Sequence, residues 1–372
     1  MKLARCSYAF DVPALVVAGL CLLLGSGVSA ATSPPRLAPD FTIAECVNAD
    51  TLHLAALEAN PVLLVFYDGG AMMSYQALSY VNEWHRRYEG DGLKVIAIHS
   101  PALEPLKIKY NAIEVVARSH YSFAMGMDHE RTVYAAYALS ELPAYILVGP
   151  GRQIVFETSG PRAYAEVELA IQRLLAELKP GIVNPFLVRP IRPADDPKIK
   201  MLPATAETQM GYLAGNIVGC DSTVYDKFYN FTDSRERARG KVYLQGYWKV
   251  GPGSVAYEEK YRSADDHLRM IYSGKEVWLL RTCEYGARQR VYIKQDKNYL
   301  DRADWGDDVE GDGLGKPYII LEYSIPANIV KNRAYGTHEL EIIPAEGDGA
   351  FYYLFFESEA AGGTPAQQGT AR

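Results

Sequence analysis

The sequence predicts two consecutive folded domains, an α/β domain followed by an all-β domain. Between residues 41 and 178, apolar runs of strand length alternate with stretches of helical periodicity, which is the pattern of an α/β unit. Between residues 211 and 358, short aromatic and β-branched runs are separated by Gly, Pro and Asp, which is typical of a β-sandwich. A segment rich in proline, residues 179–208, divides the two domains.

The elements of the α/β domain follow from apolar runs and their spacing. Residues 62–67 form a continuous apolar run, which predicts a strand buried on both faces. The next stretch places Leu78, Val81 and Trp84 near helical spacing and predicts a helix. The predicted strands are 62–67, 93–99, 144–148 and 153–157, and the predicted helices are 71–88, 104–119, 131–138 and 164–178.

The second domain, residues 209–358, is predicted as a jelly-roll-like sandwich. The chain contains 27 tyrosines against 11 phenylalanines, and tyrosine suits strands that are half exposed to water. The predicted strands are 241–248, 277–280, 290–294, 318–323, 338–343 and 351–356. The prolines of residues 179–208 predict a stiff, extended linker, and the composition of residues 359–372 predicts a disordered tail.

The first thirty residues have the features of a cleaved signal peptide. Lys2 and Arg5 precede an apolar run over residues 12–24, and small residues before Ala30 form a cleavage site. No second apolar run is long enough to cross a bilayer. We therefore expect a periplasmic or secreted protein without a membrane span. A net charge of −7 argues against a nucleic-acid partner.

Three cysteines remain after removal of this segment, in a compartment that is oxidising. Cys46 lies between two short predicted strands and is either a reactive thiol or a structural one. Cys220 and Cys283 both fall in the second domain, and a disulfide between them is one possibility. The sequence does not show whether their Cα atoms are close enough to be bridged.

Residues 38–178 resemble the TlpA-like periplasmic thioredoxins. Five segments occur in the order of that family: 38–43, 61–67, 93–101, 142–148 and 149–154. The resemblance implies a thioredoxin-like fold, in which Pro143 takes the position of the family's cis-proline. It also implies where a redox motif would lie, at the start of the helix that follows residues 61–67.

The resemblance fails at the redox motif itself. Where the family has Cys-x-x-Cys, this chain has Ala71, Met72, Met73 and Ser74. Without a thiolate there is no mixed disulfide, so the family's exchange activity is not expected here. Two interpretations of this segment and Pro143 stay open. Either the groove still binds polypeptide through an exposed methionine pair, or it is retained only for packing.

The second domain is similar to the soluble C-terminal half of DipZ-type proteins. The similar segments are 211–216, 244–252, 276–280 and 335–342. In those proteins a thioredoxin-like domain precedes a sandwich that resembles carbohydrate-binding modules. The resemblance implies a fold for residues 209–358 and does not by itself carry an activity to this chain.

Two further groups of residues are candidate binding sites. Trp248, Trp305 and Tyr247 could stack on sugar rings, the alternative being that they pack in the core and on the sheet faces. The polar loop 301–313 offers hard oxygen ligands for calcium, the alternative being a solvated acidic loop. These carboxylates are Asp304, Asp307, Asp308, Glu310 and Asp312. The sequence contains no motif for an organic cofactor.

Two functions are consistent with these observations. In the first, the protein is a redox-inactive binding or scaffold module of the cell envelope, with polypeptides or glycans as partners. In the second, it is a thiol-disulfide oxidoreductase that uses Cys46 or the pair Cys220 and Cys283. A thiol-exchange assay distinguishes the two.

Overall fold

A computed structural model describes residues 36–282 and 289–362 of the chain. The predicted signal segment, Cys283 and residues 363–372 lie outside the described residues. From Arg36 onward the chain forms one compact unit. None of the helices in the described part is both long and apolar enough to cross a bilayer.

The described residues before residue 179 form an α/β domain. Its strands are β1 (Thr42–Ile43), β2 (Cys46–Val47), β3 (Leu52–His53), β4 (Val62–Tyr67), β5 (Lys94–His99), β6 (Ala124–Met127), β7 (Ala144–Gly149) and β8 (Gln153–Ser159). Its helices are α1 (Met72–Tyr88), α2 (Lys109–Ser119), α3 (Thr132–Ala136) and α4 (Tyr164–Leu178). The α/β prediction is confirmed, and β4 and α4 have the predicted bounds.

A six-stranded sheet in the order β2-β6-β5-β4-β7-β8 forms the centre of this domain. β4, β5 and β6 are parallel, whereas β7 and β8 complete one side as an antiparallel hairpin. Alternate side chains of β4 enter two different hydrophobic clusters. Both faces of the strand are therefore covered, which explains why all six of its residues are buried.

The second domain is built from antiparallel strands. They are β9 (Thr208–Gln209), β10 (Phe228–Phe231), β11 (Val242–Val250), β12 (Val255–Tyr257), β13 (His267–Thr282), β14 (Gln289–Gln295), β15 (Asn298–Tyr299), β16 (Glu310–Gly311), β17 (Pro317–Leu321), β18 (Ala327–Glu346) and β19 (Gly349–Glu357). The all-β prediction is confirmed. Within the described residues these strands belong to one 11-stranded sheet rather than to two separate ones.

Two long strands, β13 and β18, hold the sheet together. Along one edge β13 pairs with β18; along the other it pairs first with β11 and then with β19. The register shifts between Gly274 and Glu276, where the partner changes. The sequence predicted only the ends of these strands, residues 277–280 and 338–343.

The proline-rich segment is docked on both domains. The backbone N–H of Val188 donates to Glu168 of α4, and that of Ile191 donates to the Tyr80 hydroxyl of α1. Further along, the N–H of Thr205 donates to the carbonyl of Ser273 in β13. The segment has no strand or α-helix before β9, and its contacts make it part of the boundary between the domains.

The predicted disordered tail begins too early. Lys275 forms an ion pair with Glu359, with 2.6 Å between Nζ and Oε1. The backbone N–H of Ala361 donates to the carbonyl of Lys200. Residues 359–361 are therefore held between the β domain and the end of the proline-rich segment, because their polar groups find partners in both.

Candidate functional site

The start of α1 is the position at which the resemblance places a redox motif. β4 ends at Tyr67, and residues 68–70 lead into the helix without a side-chain cap at Ala71. The Asp68 carboxylate accepts the N–H groups of Gly70 and Ala102, each at 2.8 Å. Burial raises the pKa of Asp68, and these two hydrogen bonds act in the opposite direction. Asp68 thus fixes the loop that precedes the helix.

Neither position of the former motif carries a sulfur nucleophile. Ala71 is half-buried and offers a methyl group. Ser74 is fully buried, and its hydroxyl has no hydrogen-bond partner among the described residues. A serine hydroxyl has no redox couple, and no base contacts this one in the described part of the chain.

Pro143 lies beside the end of β4. Phe66 pairs with Ala144, the first residue of β7, so the register brings Pro143, which precedes this strand, next to Tyr67. The Leu142–Pro143 peptide bond is cis, and the proline ring is buried. The arrangement of strand, helix start and cis-proline is present although the cysteines are not.

His99 is a positioning residue for the loop before α1. It ends β5, and its Nε2 accepts the N–H of Gly69 at 3.0 Å. Burial lowers the pKa of His99 to about 3, with nearby His129 acting in the same direction. The imidazole is therefore neutral near pH 7 and holds the loop as a hydrogen-bond acceptor. Its place at the end of a predicted buried strand was the only sign of this role.

The β domain covers the start of α1. Met72 is only 6% exposed and packs in a buried cluster with Leu106, Leu280 of β13 and Phe355 of β19. A Cβ atom added at Gly70 would lie 2.6 Å from Leu106 and 3.4 Å from Leu280. For Met72 the structure therefore favours the packing interpretation over an exposed methionine pair, because Leu280 and Phe355, more than 200 residues further along the chain, pack on it.

Met73 lines a cavity beside this cluster. The cavity has a volume of about 610 Å³ and lies between the start of α1, the proline-rich segment and the strands β13 and β19. Met72, Met73 and Gln76 of α1 line it, whereas Ala71, Ser74 and Pro143 do not.

Neither of the two described cysteines belongs to the cluster at this helix start. The Cys46 thiol lies in β2 and donates to the carbonyl of Ile43 at 3.1 Å. Cys220 packs at the edge of the β-domain core. Burial raises the pKa of both thiols, so both are protonated near neutral pH. Because Cys283 lies outside the described residues, its pairing with Cys220 stays a prediction.

The three candidate aromatic residues do not form one surface. Trp248 is fully buried, donates from Nε1 to the carbonyl of Gln245 and packs against Phe351. Tyr247 is the next residue of β11, so it points to the opposite face and is 44% exposed. Trp305 packs against the core, and its Nε1 donates to the carbonyl of Leu300. The three side chains therefore do not share one platform: Trp248 is enclosed in the core, Trp305 is half-buried, and Tyr247 is exposed on the other sheet face.

The five carboxylates of the loop 301–313 are dispersed among separate partners. Asp304 pairs with Arg333, Asp307 with Lys331, and Asp308 with Arg118. Glu310 accepts from the Tyr318 hydroxyl, and Asp312 accepts the N–H groups of Leu314 and Lys316. In residues 36–282 and 289–362 no three His, Cys, Asp or Glu side chains are placed to hold a metal ion. The geometry does not support the calcium hypothesis.

The match of this chain to a known protein family agrees with the fold of its first domain. Residues 35–157 match the AhpC/TSA family. The N-terminal part of this chain is a thioredoxin-like domain. The match ends before the β domain, so it covers only the sheet and helices that surround α1 and Pro143.

The likeness to DipZ extends into the β domain. The chain is 23% identical over 235 residues to Protein DipZ of Mycobacterium bovis and to that of Mycobacterium tuberculosis. The aligned part is 62% of this chain and 32% of each DipZ protein. The chain thus spans about a third of the length of the curated relatives it matches.

Two solved structures each resemble a little over a third of this chain. A secreted Mycobacterium tuberculosis disulfide oxidoreductase homologous to E. coli DsbE is 14% identical, with 36% of this chain and 96% of that one covered and a TM-score of 0.31. A thioredoxin-like protein solved in its oxidised form is 22% identical, with 38% and 97% covered and a TM-score of 0.36. The thioredoxin-like fold follows from the strand order of the six-stranded sheet and from the family match, and not from these two structures.

Proposed function

We propose that the chain is a redox-inactive thioredoxin-like protein of the cell envelope that acts as a binding or scaffold module. The observation that carries the proposal is the start of α1. Ala71 and Ser74 occupy the positions where a thioredoxin-like enzyme needs two thiols, and Leu280 packs over Met72, one of the two residues between them. A site without a thiolate and without room for a polypeptide cannot run disulfide exchange.

The remaining thiols support the same proposal. Exchange starts with attack by a thiolate, and the fraction of thiolate falls as the thiol pKa rises. The pKa values of Cys46 and Cys220 are both raised by burial. Neither thiol therefore has the electropositive, accessible surroundings of a reactive cysteine.

The cell-envelope location rests on the N-terminal sequence. Lys2, Arg5, the apolar run over residues 12–24 and the small residues before Ala30 have the composition of an export signal. The partner classes that we propose for such a module are envelope polypeptides, glycans or small molecules. N-terminal sequencing of the protein recovered from the periplasm tests the location, and a mature chain that still begins at Met1 would contradict it.

An insulin-reduction assay tests the proposed inactivity. With dithiothreitol as the reductant, we expect the wild-type chain to leave the rate unchanged, because no described thiol is both accessible and ionised. Thioredoxin serves as the positive control. Turnover that disappears in C46S, C220S or C283S would overturn the proposal and establish an oxidoreductase with non-standard cysteines.

A further inference from the structure

The cavity between the two domains combines apolar walls with an excess of carboxyl groups. Its apolar walls include Met72, Met73, Met201, Leu202, Phe355 and Phe356. A volume of about 610 Å³ is in the range of small-molecule sites. Methionine and phenylalanine side chains adapt to apolar ligands of varied shape.

Three carboxyl groups in the cavity wall lack a cationic partner among the described residues: Glu207, Glu276 and Glu357. Glu357 accepts a hydrogen bond from the Gln76 amide, and Glu276 accepts one from the Asn328 amide at 3.1 Å. Amides satisfy some of the oxygen lone pairs but leave the negative charge without compensation.

The cations near these carboxyls are engaged elsewhere. Lys275 is paired with Glu359, Arg192 with Asp195, and Lys331 with Asp307. Arg162 also lines the cavity, but its side chain is exposed to solvent. The described residues that line the cavity thus include four carboxyl groups, Glu207, Glu276, Glu357 and Glu359, against three cations, Arg162, Arg192 and Lys275. The Nη1 group of Arg192 is buried without a hydrogen-bond partner among the described residues, and its ion pair with Asp195 is formed through the other nitrogens of the side chain.

The electrostatic surroundings of Glu357 reflect this imbalance. Burial raises the pKa of Glu357 to about 7, and the charges of Glu276 and Asp195 add to the shift, whereas Arg192 and Lys331 oppose it. Burial likewise raises the pKa of Glu276. A positive charge placed between the two carboxyls would favour their ionised forms.

We propose that this cavity binds an organic cation, a primary ammonium group carried on an apolar chain. The ammonium group lies against Glu276 and Glu357, and the apolar chain packs among the methionines and phenylalanines. This inference rests on the proposed function as a binding module and names the ligand class of that module. The cavity takes a small molecule of this class rather than an extended polypeptide, because Leu280 and Phe355 close off the start of α1.

Calorimetric titration of the full-length mature protein with n-octylamine tests the proposal. Octanoate and 1-octanol have the same apolar chain and serve as probes of opposite and zero charge. At pH 8 we expect octylammonium to bind at least about tenfold more tightly than either, since only it neutralises the buried carboxylates. No heat with octylamine, or equal affinity for all three probes, would overturn the proposal.

The pH dependence follows from Glu357. Octylamine stays cationic throughout, while Glu357 takes up a proton as pH falls through its pKa, so we expect binding to weaken about tenfold between pH 8 and pH 5.5. E357Q retains the amide contact with Gln76 and should weaken binding at pH 8 about tenfold while removing most of the pH dependence. E276Q is the second variant, and E177Q on an exposed face of α4 is the matched control.

The outcomes separate the two proposals. Unchanged affinity in both E276Q and E357Q, each shown by thermal melting to be folded, would place octylamine elsewhere and overturn the ligand assignment. That result would leave the absence of redox activity standing, since insulin reduction measures it independently. Conversely, insulin turnover would overturn the proposed function without affecting the titration.

Discussion

Replacing Leu280 with alanine is expected to lower the free energy of unfolding by about 2–5 kcal/mol. Leu280 has no exposed surface and packs against Met72, Leu106 and Phe355, which belong to three other segments of the chain. Truncation leaves a cavity between the start of α1 and the β domain that the surrounding strands cannot fill. Urea denaturation followed by circular dichroism measures the loss.

Leu314 provides the matched control for this substitution. It is 81% exposed, so L314A removes the same atoms without opening a cavity and should change stability by less than about 0.5 kcal/mol. If L280A lowered the free energy of unfolding no more than L314A does, the β domain would not be packed on α1 in solution. The start of α1 would then not be covered.

Replacing Trp248 with alanine is expected to cost about 3–5 kcal/mol, whereas replacing its neighbour Tyr247 should cost under about 1 kcal/mol. The Trp248 ring is buried against Tyr257 and Phe351, with centroid distances of 5.7 and 6.1 Å. Tyr247 lies on the other face of β11, where 44% of it is exposed. Thermal unfolding of the two variants measures the contrast.

The same pair of variants decides the role of these aromatic residues. A sugar-stacking tryptophan is accessible, so its removal abolishes glycan binding at little cost in stability. If W248A were as stable as the wild type and lost binding to a polysaccharide, Trp248 would belong to a binding surface after all. The location of Trp248 in the core predicts the opposite.

Elements whose pattern is local could be predicted from the sequence. Residues 164–178 repeat apolar positions at helical spacing, and residues 62–67 form an uninterrupted apolar run, so both have the predicted bounds. β13 was predicted only in part, because Gly274 resembles a break between strands. In the structure Gly274 lies where the register shifts, and a Cβ there would be 3.0 Å from the Glu357 carbonyl oxygen.

The position of the candidate site along the chain could be predicted from the sequence, but the residues that pack around it could not. The loss of both cysteines was visible at Ala71 and Ser74, whereas the packing of Leu280 and Phe355 on Met72 joins distant segments and has no local signature. Successive side chains of a strand point to opposite faces of the sheet, so the predicted strand alone would have placed Tyr247 and Trp248 on different faces. Trp305 could not be assigned to the core from its sequence, because the surrounding loop is polar. In the structure its ring packs on the core, and the guanidinium of Arg302 lies over the face of the ring.

The start of α1 lacks thiols at residues 71 and 74, and the β domain covers it through Leu280 and Phe355. The double variant A71C/S74C places two thiols three residues apart at the start of α1, a spacing at which side chains on one face of a helix are neighbours. We predict that this variant forms an internal disulfide, detected by mass spectrometry, yet reduces insulin no faster than dithiothreitol alone. Insulin turnover at a rate near that of thioredoxin would contradict the account, because it would mean that the face is open to polypeptide.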